Sequence, residues 1–313
     1  MADLKTISGK ALGRVCFGAM QFGKGSDADV SQSIFEKCVS LGINHFDTAW
    51  VYNEGQSETL LGRFARTIRD DVFIATKVGY TGGASPANLQ KQFDASRQRL
   101  QLDQVDILYL HRFDPDFPLN ETLNWFAKQK DQGAVRHIGV SNFAAWQIVH
   151  ARAMLESIGA SIDVAQPMYS LVKRQAEVEI LPACHTFDIS CFSYSPLGAG
   201  LLTGKYSGNG FASGRLSYDQ RYARRYSLDQ MHKTAQDLVE LSASFGLATS
   251  VVAILWVLQS KFCPTPIVSA RNIEQLDELL PSLDRTLSNE QLRLIEEISP
   301  RPAPATDRLE EQD

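Results

Sequence analysis

The chain is expected to fold as one α/β domain, a (β/α)8 TIM barrel, and three observations predict it. Short runs rich in Val, Ile and Phe recur near 14–18, 43–47, 72–77, 105–110, 135–140, 163–166, 189–194 and 265–268, giving eight candidate strands. Helical patterns with apolar spacings of three and four alternate with these runs, as in a parallel sheet. The unit recurs about every thirty residues, which suits a closed barrel better than a doubly wound sheet. A doubly wound dinucleotide fold also needs GxGxxG after its first strand, and the chain carries FGAMQFGKG (17–25) there instead.

Taken in order, VSQSIFEKCVSLG (30–42) reads as the first helix, and INHFDTAW (43–50) carries the second strand. SETLLGRFAR (57–66), PANLQKQFDASRQRLQL (86–102) and PLNETLNWFAKQKDQG (118–133) read as helices, several with a glycine near the end. The interval from about 199 to 264 is longer than the others. It holds a Gly/Ser/Tyr/Arg-rich loop (203–229) and two helical patterns (230–245 and 249–261). A long loop between strands seven and eight of a compact barrel is expected to cover an active site or clamp a ligand. No internal stretch resembles a domain linker, so residues 1–300 are expected to form the barrel. The tail 301–313, RPAPATDRLEEQD, is proline-rich and charged, and is expected to be disordered and without catalytic role.

With 313 residues, 44% hydrophobic and 21% charged, the chain can bury a large core. Its net charge of −5 argues against nucleic acid as the main partner. The five cysteines show neither CxxC spacing nor a disulfide framework, so reduced thiols are expected. MADLKTISGKALG lacks the apolar core of a signal peptide, and LATSVVAILWVL (247–258) is too short to span a bilayer. A cytoplasmic protein with no membrane partner is expected, either a monomer or a homo-oligomer.

Barrel active sites lie at the carboxyl ends of the strands. Asp47, Lys77 and His111 fall at the ends of three consecutive runs, and Tyr52 lies five positions beyond Asp47 in the loop before the next helix. A tyrosine hydroxyl ordinarily titrates near pH 10, so proton transfer at neutral pH calls for a neighbouring positive charge. Lys77 can supply it, and Asp47 can keep that lysine charged in a desolvated site. His111 would orient a carbonyl oxygen or relay a proton to it. Redox chemistry there would require a nicotinamide cofactor, because no side chain donates hydride. Each residue alone also fits a structural role such as capping a helix, but four suitable types at three neighbouring strand ends are hard to obtain by accident. The histidines and carboxylates show no metal-ligand spacing, so no metal is expected.

Several strings together resemble the aldo-keto reductase superfamily over about residues 7 to 298. They are FDTAWVYNEGQSETLLG (46–62), ATK (75–77), LHRFD (110–114), IGVSNF (138–143), YSPLGAGLLTGKY (194–206) and ARNIEQLDE (270–278). The resemblance implies Tyr52 as acid/base, tuned by Lys77 and Asp47, with His111 positioning the carbonyl. It also implies a path for the cofactor, expected to be NADP(H), with NAD(H) as the lesser possibility. Gly18, Ala19 and Met20 would lie under the nicotinamide, and Asp47 would also contact the cofactor. Ser141, Asn142 and Gln166 would bond its carboxamide, and Tyr194 would stack on the ring. Ser195, Pro196, Leu197, Gly200 and Lys205 would line the diphosphate, with Arg215 clasping it. Ser269, Arg271, Gln275 and Glu278 would hold the adenosine end, Arg271 pairing with a 2′-phosphate. Two positions depart from the pattern: Asn53 replaces a glycine after the tyrosine, and Leu279 stands where many relatives have asparagine.

Trp50, Phe113 and RLSYDQRYARRY (215–226), together with Tyr52 and His111, are the candidates to shape a substrate pocket. Arg221, Arg224 and Arg225 read first as a solvated loop face and second as an attractor for an acidic substrate. The expected activity is interconversion of an aldehyde or ketone with an alcohol (EC 1.1.1.-). The alternatives are a dehydrogenase working mainly on a sugar or alcohol, a nicotinamide-sensing binding subunit resembling potassium-channel β-subunits, and a barrel enzyme using Lys77 as a Schiff-base amine.

Overall fold

The computed structural model describes residues 4–206, 214–280 and 283–311. Eight parallel strands close in sequence order into a barrel. They are β1 (Cys16–Gly18), β2 (His45–Asp47), β3 (Phe73–Val78), β4 (Val105–Leu110), β5 (Val135–Ser141), β6 (Val164–Gln166), β7 (Ser190–Ser193) and β8 (Thr265–Val268). Each of the eight apolar runs thus forms a strand, trimmed by up to two residues at its start.

The helices pack outside. The first six are α1 (Ala28–Ser40), α2 (Gln56–Ala65), α3 (Pro86–Leu100), α4 (Leu119–Asp131), α5 (Ala145–Glu156) and α6 (Ile180–Thr186). Local chemistry fixes their ends. The Asp27 side chain accepts the Val30 N–H at 2.9 Å and caps α1. Ser85 caps α3, whose first residue is Pro86. Between β7 and β8 run α7 (Arg215–Tyr218), α8 (Gln220–Arg225), α9 (Asp229–Phe245) and α10 (Thr249–Leu258), and α11 (Ile273–Leu279) and α12 (Asn289–Ile298) follow β8. The segment expected to be a loop (203–229) therefore contains two short helices, while its residues 207–213 lie outside the described residues. Of the tail 301–313, residues 312–313 also lie outside them.

The core has two compartments. A large one lies between strands and helices, and a smaller one inside the barrel contains Cys16, Phe73, Ala75, Ile107, Tyr109, Val164, Phe192 and Ile267. The apolar run at 247–258 is explained by α10, which is buried from Ser250 to Val257 because it lies in the larger compartment. No single helix among the described residues is long and apolar enough to cross a membrane.

Register decides which side chains share the barrel mouth. Asp47 pairs with Ala75, and Lys77 with Tyr109. Side chains two apart on a strand share a face, so Lys77 points inward with Ala75, one layer above Asp47.

Candidate active site

Asp47, Tyr52, Lys77 and His111 meet at the carboxyl end of the barrel. The Lys77 side chain is wholly buried, and its Nζ donates to Asp47 Oδ2 and, at 2.7 Å, to the Thr48 carbonyl. The second Asp47 oxygen accepts from Gln166 Nε2 at 2.9 Å. Lys77 Nζ also lies 5.0 Å from the centroid of the Tyr52 ring, and that ring stands edge-on to His111 at 6.0 Å.

Burial opposes a charge on Lys77, but Asp47 and then Tyr52 outweigh it and raise its pKa, so the side chain is an ammonium at neutral pH. Tyr52 follows the opposite balance. Burial pushes its hydroxyl up by more than Lys77 pulls it down, and Tyr52 keeps its proton. Burial, then Lys77 and Arg112, hold His111 well below the usual histidine range, so the imidazole is neutral. Its Nδ1 is buried without a partner, and Tyr80 packs on the ring at 4.9 Å.

The loop carrying Tyr52 is held by backbone shape and by two anchors. Asn53, Glu54 and Gly55 all adopt positive φ, at 48°, 55° and 92°. Asparagine tolerates that region better than most residues. Asn53 Nδ2 also donates to the carbonyls of Met20 at 2.7 Å and Phe22 at 2.8 Å, which explains its presence where a glycine was expected. A Cβ on Gly55 would fall 2.4 Å from Arg99 Cζ. Arg99 Nη1 in turn donates to the Trp50 carbonyl at 3.1 Å and to the buried Glu58 at 3.2 Å. Glu58 accepts from Thr76 at 2.6 Å, and Ser57 donates to the Ala19 carbonyl at 2.8 Å. Arg99, Thr76 and Tyr80 were not singled out from the sequence. Thr76 and Tyr80 lie beside the Lys77 strand end, a usable signal, whereas Arg99 sits mid-pattern in a helix and gives none.

A second group lines the adjoining strand ends. Ser141 Oγ donates to the Gln166 carbonyl at 3.1 Å, and Asn142 Nδ2 donates to the His111 carbonyl at 2.9 Å. The Tyr194 hydroxyl, kept protonated by burial, donates to Asn142 Oδ1 at 2.6 Å. Gly18 ends β1, with Ala19 and Met20 in the turn that follows. Trp50 lies under Arg99, 5.6 Å from ring centroid to guanidinium, with its indole N–H buried and unpartnered. Phe113 packs on Phe143 and on the exposed Trp146.

Beyond Tyr194 the chain makes a tight turn in which Ser195, Gly198, Ala199, Gly200 and Gly204 all have positive φ. Pro196 is buried in it, and Leu197 is half-buried. The Lys205 amine lies so close to Gly200 that a Cβ there would approach it to 2.7 Å. Burial, then Arg271 and Arg215, lower the Lys205 pKa. Among the described residues, none of these three cations pairs with a carboxylate. Arg271 donates to the Tyr218 hydroxyl, and its backbone N–H donates to Gln275 at 2.9 Å. Ser269 is exposed after β8, while Glu278 accepts from Ser250 at 2.9 Å and so turns toward α10.

The sequence profile of the Aldo/keto reductase family matches residues 14–300. The chain belongs to the aldo/keto reductase family. Its relatives within that family span different roles. It is 31% identical, over 96% of both chains, to "Uncharacterized oxidoreductase YrpG" of Bacillus subtilis. It is 32% identical to human "Aflatoxin B1 aldehyde reductase member 2", over 85% of this chain and 80% of the relative. It is 30% identical to "Probable voltage-gated potassium channel subunit beta" of rice (Oryza sativa subsp. japonica), over 88% of this chain and 89% of the relative. As an aldo/keto reductase the chain is an oxidoreductase.

Proposed function

We propose that the barrel mouth is an NADP(H)-dependent carbonyl reductase site in which Tyr52 is the proton donor. The observation that carries this reading is the Lys77 ammonium, held by Asp47 and placed beside the protonated Tyr52 and the neutral His111. When bound, the nicotinamide cofactor supplies the hydride that the side chains cannot.

The residues present suit such a group. Lys205, Arg215 and Arg271 concentrate positive charge without a carboxylate partner beside a turn of left-handed backbone, an arrangement that favours a diphosphate and a further phosphate. Ser141, Asn142 and Gln166 offer amide and hydroxyl groups for a carboxamide. Tyr194 presents a ring for stacking, and Gly18, Ala19 and Met20 would also contact the nicotinamide. Ser195, Pro196, Leu197 and Gly200 would line the diphosphate, and Ser269, Gln275 and Glu278 the adenosine.

The substrate is a small aldehyde or ketone, with the corresponding alcohol as product. Trp50, Tyr52, His111 and Phe113 bound its pocket. On His111 the proton belongs on Nε2, because a proton on the buried Nδ1 would have no acceptor. Nε2–H then donates to the carbonyl oxygen while Tyr52 protonates it, and Lys77 stabilises the phenolate left behind.

The resemblance to a channel subunit supports a second reading, a nicotinamide-binding subunit with slow turnover. Fluorescence titration with NADPH and NADH, followed by NADPH consumption on a panel of aldehydes and ketones, separates the two. The expected result is NADPH bound at least about tenfold more tightly than NADH, as one extra charge-assisted contact implies, with turnover. Tight binding without turnover favours the subunit, and binding of neither nucleotide refutes both.

A further inference from the structure

Two cations between β6 and β8 are not among the residues assigned to the proposed cofactor. Lys173 follows β6, and Arg225 is the last residue of α8. Lys173 Nζ lies 5.6 Å from the Tyr226 ring centroid. Tyr222 is flanked by the guanidinium groups of Arg215 and Arg225, at 4.8 Å and 4.9 Å from its ring centroid. Tyr226 itself packs against the turn after β7, where a Cβ on Gly198 would meet it at 3.5 Å, and its hydroxyl contacts Met168 Sδ at 3.9 Å. Met168 bridges to Tyr194. The Lys173 and Arg225 charges therefore lie over Tyr226 and Tyr222, and Tyr226 packs against the turn that follows β7 at the carboxyl end of the barrel.

Electrostatics agree with that placement. Burial and then Arg225 depress the Lys173 pKa, and Arg225 is the main charge acting on Tyr194. Tyr222 reaches Tyr52 in the same way. Neither Lys173 nor Arg225 pairs with a carboxylate among the described residues. Arg221, in contrast, is neutralised by Asp219 at 3.0 Å. Two like charges held near one another destabilise the free protein, and a bound anion removes that repulsion.

We propose that Lys173 and Arg225 select substrates carrying an anionic group, a carboxylate or a phosphate, remote from the reacting carbonyl. This rests on the reductase reading, which assigns the cofactor phosphates to Lys205, Arg215 and Arg271. Arg225 and Lys173 are then specificity residues, while the chemistry stays with Tyr52.

The test uses matched substrates with NADPH: 4-carboxybenzaldehyde against methyl 4-formylbenzoate, and glyceraldehyde 3-phosphate against glyceraldehyde. The charged member of at least one pair should have a kcat/KM about tenfold or more above its neutral partner, mainly through KM, and the pair with the larger ratio identifies the group. The ratio should shrink in 0.5 M KCl, by about fivefold in Arg225→Gln or Lys173→Gln, and far less in Arg225→Lys. NADPH affinity, followed by fluorescence, should fall much less than the ratio. A ratio near one in both pairs, a ratio that survives the double substitution, or an equal loss of NADPH affinity would overturn the proposal. Absence of turnover on every substrate, neutral ones included, would remove the reductase reading and this proposal with it.

Discussion

Tyr52 carries a proton at neutral pH because burial destabilises its phenolate more than the nearby Lys77 ammonium stabilises it. His111 is uncharged for the related reason that burial and two cations oppose its protonation. The Tyr52 hydroxyl is thus raised above its usual range and the imidazole depressed below its own, so neither changes state near neutrality. Carbonyl reduction should therefore show a kcat/KM that is flat from about pH 6 to about pH 9, falling only when Tyr52 loses its proton at higher pH. An acidic limb near pH 6.5 in the pH–rate profile would mean that His111 titrates in the working range. That Asp47, Tyr52, Lys77 and His111 come together was legible in the sequence because titratable groups ended three successive apolar runs. The sign of the Tyr52 balance was not, since it depends on how deeply the ring is buried. Arg99 was equally hidden, as an arginine in a helical pattern reads as solvated until α3 is seen against Gly55.

At the scale of elements, the turn from Tyr52 to Gly55 is the part most dependent on a single side chain. Asn53 accepts a left-handed backbone and ties it to the first strand's loop through two hydrogen bonds. Asn53→Ala should lose stability by about 2–3 kcal/mol in urea unfolding, the sum of αL strain and two modest hydrogen bonds, and should reduce kcat as well. Asn53→Gly keeps the backbone and loses only the bonds, so its deficit should be smaller. Equal stability of the alanine and wild-type proteins would show that the turn holds itself. The segment 203–229 was read as a loop because helices as short as α7 and α8 cannot display an amphipathic period. The long apolar run, by contrast, forms α10, whose burial from Ser250 to Val257 accounts for its composition.

Across the whole molecule, alternation of apolar runs with helical patterns was enough to foresee a closed barrel, and the eight strands fall within two residues of those runs. Register was beyond the sequence's reach. The pairing of Asp47 with Ala75 places Lys77 one layer higher, close enough to reach both Asp47 and Tyr52, and parallel pairing of that kind is set by packing around the barrel. The cations Lys205, Arg215 and Arg271, separated in sequence, likewise come together only in the folded chain. The proposed function turns on one proton transfer from Tyr52. The decisive measurement is NADPH consumption by Tyr52→Phe beside wild type on the best carbonyl substrate, with NADPH affinity measured on both. A loss of roughly a thousandfold in kcat with nucleotide affinity nearly unchanged is expected of a missing general acid. A mutant that keeps most of its kcat would contradict the assignment of Tyr52 as the proton donor.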